Sequence, residues 1–302
     1  MSKKPALHPR QAVGQSLREV ALHILGQIRT ILHAPPQADA VTIHDVRKAL
    51  KRWRALIRLL PLGDDGLRLR VEARDLARAL GGSRDAQSAL DALNDLLEDA
   101  KDSLSARSIE TITSRLEEIR RSKERSQLNA KVRAQLSAWV ASTEAGVIQW
   151  PFDELTFAEM AENLSTGYGR ARKQIPKNWS LATAEQIHEL RQRVVEHRYQ
   201  MELVEPLWPR MASTWIDEAQ RLRTRLGKYQ DLTLLIRLVE PHHPLAPWRS
   251  RLSPLIAQAQ AEHVAVGARM ANRIFAESPK AFRKRLEALW DAGSTKVKEA
   301  AG

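Results

Sequence analysis

The chain has 302 residues, 43% of them hydrophobic and 28% charged, with a net charge of +12 and a pI near 10.2. That balance describes a folded protein with a real core, and the positive surplus points to a polyanionic partner: nucleic acid, polyphosphate or an anionic membrane surface. The absence of cysteine excludes disulfides, thiolate catalysis and Cys-based zinc or iron–sulfur sites.

The N-terminal stretch "MSKKPALHPRQAV" has basic residues but no apolar region behind them. No signal peptide is expected, and no run of about 18 apolar residues follows that could span a membrane. The expected address is therefore the cytoplasm. Ala, Leu, Arg, Glu and Gln fill most segments, runs of alternating β-branched residues are missing, and Gly and Pro gather at a few points. This predicts an all-α fold of about eight to ten helices.

After the break "HAPPQADAV" comes "TIHDVRKALKRWRALIRLL", Thr42–Leu60. On a helical wheel, Val46, Ala49, Leu50, Trp53, Leu56, Ile57 and Leu60 form one apolar face. His44, Arg47, Lys51, Arg54 and Arg58 fall together on the other side, within an arc of about 80°. Lys48 and Arg52 flank that stripe. An ordinary solvated face mixes signs to gain i,i+4 pairs, and this stripe contains no carboxylate. Like charges stacked on successive turns need an offsetting interaction, which a bound anion would supply. Further breaks are read at "LLPLGDDGL" and "LGGSRDA", followed by one long helical stretch from Asp91 to Val140. The break "GVIQWPFDEL" then divides the chain into halves, 1–150 and 151–302.

The second half repeats the first. "IHELRQRVVEHRYQMELV", beginning at Ile187, aligns with "IHDVRKALKRWRALIRLL", beginning at Ile43, and "LGKYQD" at Leu226 echoes "LGGSRD" at Leu80. Two copies of one helical unit, packed as a pseudo-twofold pair, are expected. The second stripe keeps His188, Arg191 and Arg198, but Val195 and Glu202 replace a Lys and an Arg. Just upstream, "GYGRARKQIPK" offers Tyr168, Arg170, Arg172 and Lys173, which could fill in for the lost charges.

His44 and His188, each at the head of a stripe, are read as phosphate donors, since a neighbouring phosphate would hold the imidazole protonated. Metal ligation is disfavoured because each helix offers one ligand. Asp85 and Asp231 close the Leu-Gly-x-x-x-Asp motifs and are read as helix caps after a Gly break. The Trp residues are read as core. No phosphate-loop, dinucleotide, nucleophile-elbow or His-Glu-x-x-His motif occurs, so no cofactor is expected.

The order of these motifs resembles the CHAD family, the conserved histidine α-helical domain: His-x-x-Arg-x-x-x-Lys-x-x-Arg, "LGGSRD", "GYGRARK", the second His-x-x-Arg helix, "LGKYQD", and the tail "RIFAESPKAFRKRLEALW". The resemblance runs from about Val13 to Trp290. It implies two pseudo-twofold-related four-helix bundle units whose basic helices line a central cavity. It also implies binding of inorganic polyphosphate and, in many members, association with polyphosphate granules and their proteins. Carried over, the ligands would be His44, Arg47, Lys51, Arg54, Arg58 and Arg84, with Arg170, Arg172, Lys173, His188, Arg191 and Arg198 in the second unit. No Glu-x-Glu-x-Lys hydrolase signature is present, so a non-enzymatic role is expected. The alternatives are a nucleic-acid-binding protein, for which the low aromatic content of 5% weakens single-strand but not duplex binding, and a polyphosphate- or nucleotide-processing enzyme built on Asp85 and Asp231.

Overall fold

A computed structural model describes residues 4–34, 39–80, 84–99, 104–124 and 128–295. These residues form eleven α-helices and no strand: α1 (Val13–His33), α2 (Asp39–Ile57), α3 (Gly63–Ala79), α4 (Arg84–Asp99), α5 (Ala106–Glu124), α6 (Ala130–Ile148), α7 (Phe157–Lys173), α8 (Ala184–Leu203), α9 (Pro209–Leu238), α10 (Arg249–Ile274) and α11 (Pro279–Thr295). None of the described helices is long and apolar enough to cross a membrane.

Local chemistry sets the helix starts. Thr156 and Glu159 close a capping box at α7, with the Thr156 N–H donating to Glu159 at 2.8 Å. Thr183 and Gln186 do the same at α8. Each satisfies two backbone donors that the first turn leaves orphaned. The expected single helix from Asp91 to Val140 is three segments. Leu104 and Ser105 interrupt it, and Asn129 caps α6 by accepting from the Val132 N–H at 2.9 Å. Short polar side chains that bond to the backbone ahead of them outweigh the helical composition on either side.

The packing pairs run in two parallel series. In the first half α1 lies against α2 and α6, α2 against α3, and α4 against α5. In the second, α7 lies against α8 and α11, α8 against α9, and α9 against α10. The two series meet where α2 packs on α8 and where α4 packs on α9.

Two apolar cores result. In the larger, the α2 face read from the sequence is interior: Val46, Leu50 and Trp53 are 0% exposed and Ile57 is 2% exposed. Trp53 meets Trp139 edge-on at 5.8 Å and stacks on Trp150 at 6.0 Å. The smaller core joins Leu93, Ile112 and Leu116 of α4 and α5 to Leu235, Leu252 and Ile256 of α9 and α10. Both cores therefore draw on residues from either side of position 150. The 30-residue α9, about 45 Å long, passes through both.

His197 occupies, in the register that aligns Ile43 with Ile187, the place of Trp53. It is 1% exposed and surrounded by the rings of Tyr168, Phe275, Phe282 and Trp215. Neither ring nitrogen has a hydrogen-bond partner. Burial, reinforced by the Arg285 guanidinium, pushes its pKa down to about 3. The folded state thus holds this imidazole neutral while the unfolded chain takes up a proton below its ordinary value of 6.5. Between those values the unfolded state binds more protons, so stability falls as the pH drops from about 6.5 toward 3. The full contribution is on the order of 5 kcal/mol. A His197→Phe variant is expected to flatten this part of the stability curve, measured by urea unfolding at a series of pH values. An unchanged slope would exclude His197 as its source.

Candidate functional site

Charges on α2 meet charges on α3 and α8. Arg54 is half-buried, and its guanidinium is held below its ordinary pKa by burial, with Arg74, Arg70 and Arg78 of α3 adding to the effect and Glu196 of α8 opposing it. Arg58 stands in the turn just past α2, since the helix ends at Ile57 rather than running to Leu60 before Pro61. Burial lowers its pKa too; Glu196 opposes, and Arg193, Arg70 and Arg54 push the same way as burial. Glu196 pairs with Arg58 at 2.9 Å and with Arg193 at 3.3 Å, its side chain only 13% exposed. Asp75 pairs with Arg74 at 2.9 Å on the more exposed side. Arg54, Arg58, Arg70, Arg74, Arg78 and Arg193 thus face two carboxylates, Asp75 and Glu196.

Four of these arginines, and Glu196, were not singled out from the sequence. Arg70, Arg74 and Arg78 recur every fourth residue along α3, a spacing legible in "RLRVEARDLAR". Their convergence with α2 depends on how the two helices pack, which no local pattern encodes.

The rest of the first stripe divides. Arg47 donates to the carbonyls of Ala77 and Leu80 at 3.0 and 3.2 Å, closing the C-terminal end of α3. Lys51 is half-buried and engaged in an electrostatic or hydrogen-bonding contact. His44 is exposed. Arg84 opens α4; its side chain lies outside the described residues, as does that of Asp85.

In the second half, Arg191 donates to Gln230 Oε1 at 2.8 Å. That bond fixes the amide, so Gln230 Nε2 is the donor to His188 Nδ1. The His188 ring nitrogen that accepts carries no proton, and Nε2–H is left to face outward. Gln230 stands at the place of Arg84 in the register that aligns Leu226 with Leu80. Arg191 also lies against Gly227, where an added Cβ would meet its Nε at 3.4 Å. Here the expected Gly break is corrected: Gly227 and Asp231 lie inside the unbroken α9, so no helix starts at Asp231. A glycine in mid-helix costs about 1 kcal/mol, and at this position it admits a guanidinium from α8.

Arg198 pairs with Glu202 at 3.2 Å and lies over the Tyr199 ring at 4.3 Å. Glu202 also pairs with Arg52 of α2 at 3.1 Å. In the repeat register Glu196 takes the place of Arg52 and Glu202 the place of Arg58. The Arg58–Glu196 and Arg52–Glu202 bridges are therefore one pair made twice between α2 and α8 with the polarity exchanged. The departure at Glu202, read from the sequence as a weakened stripe, supplies a counter-charge to α2.

The "GYGRARK" segment serves the end of α10. Tyr168 is fully buried and donates to the carbonyls of Ile274 and Glu277, each at 3.3 Å; burial pushes its pKa up to about 12. Arg172 donates to the Phe275 carbonyl at 3.1 Å. Arg170 and Lys173 are exposed on the last turn of α7. Of the twelve residues proposed from the sequence, none of the eleven whose side chains are described lines the cavity of about 660 Å³ between α9 and α10 or that of about 480 Å³ between α1 and α2. Among the described residues no group of acids and histidines could hold a metal ion.

A family model for the CHAD domain matches residues 15–240. The crystal structure of the CHAD domain from the plant Ricinus communis superposes with a TM-score of 0.57 over 95% of each chain at 16% identity, a likeness of fold. No curated protein matches the chain in sequence.

Glu196→Gln should leave Arg58 and Arg193 without their shared counter-charge and destabilise the fold by about 1–3 kcal/mol at low salt. Urea unfolding measures this, and added pyrophosphate should restore most of the loss by replacing the carboxylate. A variant as stable as the parent would mean that Glu196 does not balance the cluster.

Proposed function

The chain belongs to the CHAD domain family, and on that premise we propose that it binds inorganic polyphosphate at the arginine cluster between α2, α3 and α8. The observation that carries this reading is the gathering of Arg70, Arg74 and Arg78 about half-buried Arg54, and of Arg193 beside Arg58, which share the Glu196 carboxylate. Arg54 and Arg58, held below the ordinary guanidinium pKa by burial and neighbouring positive charge, are in an unfavourable state that a multivalent anion relieves. Planar guanidinium forks suit phosphate oxygens two at a time. A chain of linked phosphates can engage several at once, whereas a single phosphate gains only one or two contacts, so affinity rises with chain length.

The matching helix pairings of the two halves support two units related by a pseudo-twofold axis, with α2 and α8 at their junction. His44 and the outward Nε2–H of His188 would extend the contact beyond the arginines. The role is binding rather than catalysis, and attachment to polyphosphate granules in the cytoplasm follows from the ligand.

Arg54→Glu combined with Arg74→Glu is chosen because, among the described residues, neither side chain bonds to the backbone of another helix. In a double variant of unchanged helicity, polyphosphate affinity should fall at least about tenfold, and the salt dependence of binding should become shallower. Undiminished binding would remove the cluster as the site. If duplex DNA displaces labelled long-chain polyphosphate at equal phosphate concentration, the ligand is nucleic acid instead.

A further inference from the structure

Away from the arginine cluster, α9 and α10 pack closely at Gly267, where an added Cβ would meet Leu226 at 3.4 Å. Between the first half of α9 and the second half of α10 a cavity of about 660 Å³ opens, within the range of small-molecule sites. Its apolar lining comes from Met211, Trp215, Val266, Met270 and Ile274. Arg285 lies over the Trp215 ring at 4.1 Å, which fixes the indole in place. The indole Nε1 is buried and has no acceptor.

Arg221 at the rim is already paired with Glu218 at 2.6 Å. Arg269 and Arg273 also line the cavity. They lie one turn apart on α10, both exposed, and neither side chain makes a hydrogen bond or ion pair among the described residues. Two like charges at i,i+4 repel, and here they border an apolar recess.

We propose that this cavity binds a small amphiphilic anion, with an acyl or aromatic body against Trp215 and Met270 and a carboxylate or phosphate head on Arg269 and Arg273. Charge complementarity sets the sign of the head group, and the flexible methionines accommodate the body. The site is separate from the arginine cluster, so the two ligands bind independently.

Calorimetric titration of the full chain below the micelle concentration tests this with dodecanoate, dodecyl phosphate, dodecyltrimethylammonium and inorganic phosphate. The two anionic amphiphiles should bind saturably at one per chain and perturb tryptophan emission. The cation of equal chain length should bind at least about tenfold more weakly, and inorganic phosphate should give no heat at this site. Comparing the two heads separates a fatty carboxylate from a phosphorylated lipid. Arg269→Glu with Arg273→Glu should reverse the preference toward the cation while leaving polyphosphate binding unchanged. Equal affinity for both signs of head group, indifference to the double variant, absence of saturable binding, or displacement of dodecanoate by polyphosphate would each overturn the assignment.

Discussion

The fold depends on burying one strongly cationic helix, α2, against α3 and α8. Helix α2 must present Trp53 and its apolar neighbours to the larger core, and this forces its opposite face into contact with α3 and α8. Positive charges brought together in a partly desolvated space repel far more strongly than in water. Two carboxylates on α8 make the junction possible. Glu196 reaches Arg58 and Arg193, and Glu202 reaches Arg52 and Arg198. They neutralise only part of the charge, and the excess is concentrated on the side toward α3.

The same junction separates residues that hold the molecule together from those left available. In each half the arginine of His-x-x-Arg reaches toward the Leu-Gly-x-x-x-Asp segment. Arg47 reaches the last carbonyls of α3, and Arg191 reaches Gln230 beside Gly227. Tyr168 and Arg172 similarly fasten α7 to the end of α10. A guanidinium spread over several carbonyl or amide oxygens is a strong tether, and its charge is partly spent on those dipoles. Arg47, Arg191, Tyr168 and Arg172 thus make architectural bonds, and the cluster joins Arg54 and Arg58 of the first stripe to arginines that the motifs do not contain.

How far each feature could be read from the chain follows from the range of the interaction behind it. The all-α class and the buried face of α2 rest on periodicity within one helix, and both are present. The repeat could be seen because two stretches match residue by residue. The break inside Asp91–Val140 was hidden, because Ser105 and Asn129 mark new helix starts only by accepting from backbone N–H groups three residues ahead. Gly227 misled in the opposite direction: it reads as a break, while its role is set by a side chain from another helix. Glu202 looked like a loss of charge until Arg52 stood beside it. Arg70, Arg74 and Arg78 form a regular ladder in the sequence, but only the approach of α3 to α2 turns it into part of a site.

The continuity of α9 has a consequence for the chain as a whole. Because α9 leaves the larger core only to enter the smaller one, and α10 returns along it, neither core can come apart without dragging on the helix that anchors the other. The two halves of the sequence are therefore not modules that could be cut apart at the midpoint. A fragment ending there would strand α4 and α5 with their apolar faces in water, and its complement would be left with a long helix uncovered where α4 had packed on it. The repeat is internal to a single cooperative body, and the pairing of its halves was settled when they became one chain rather than each time the protein folds.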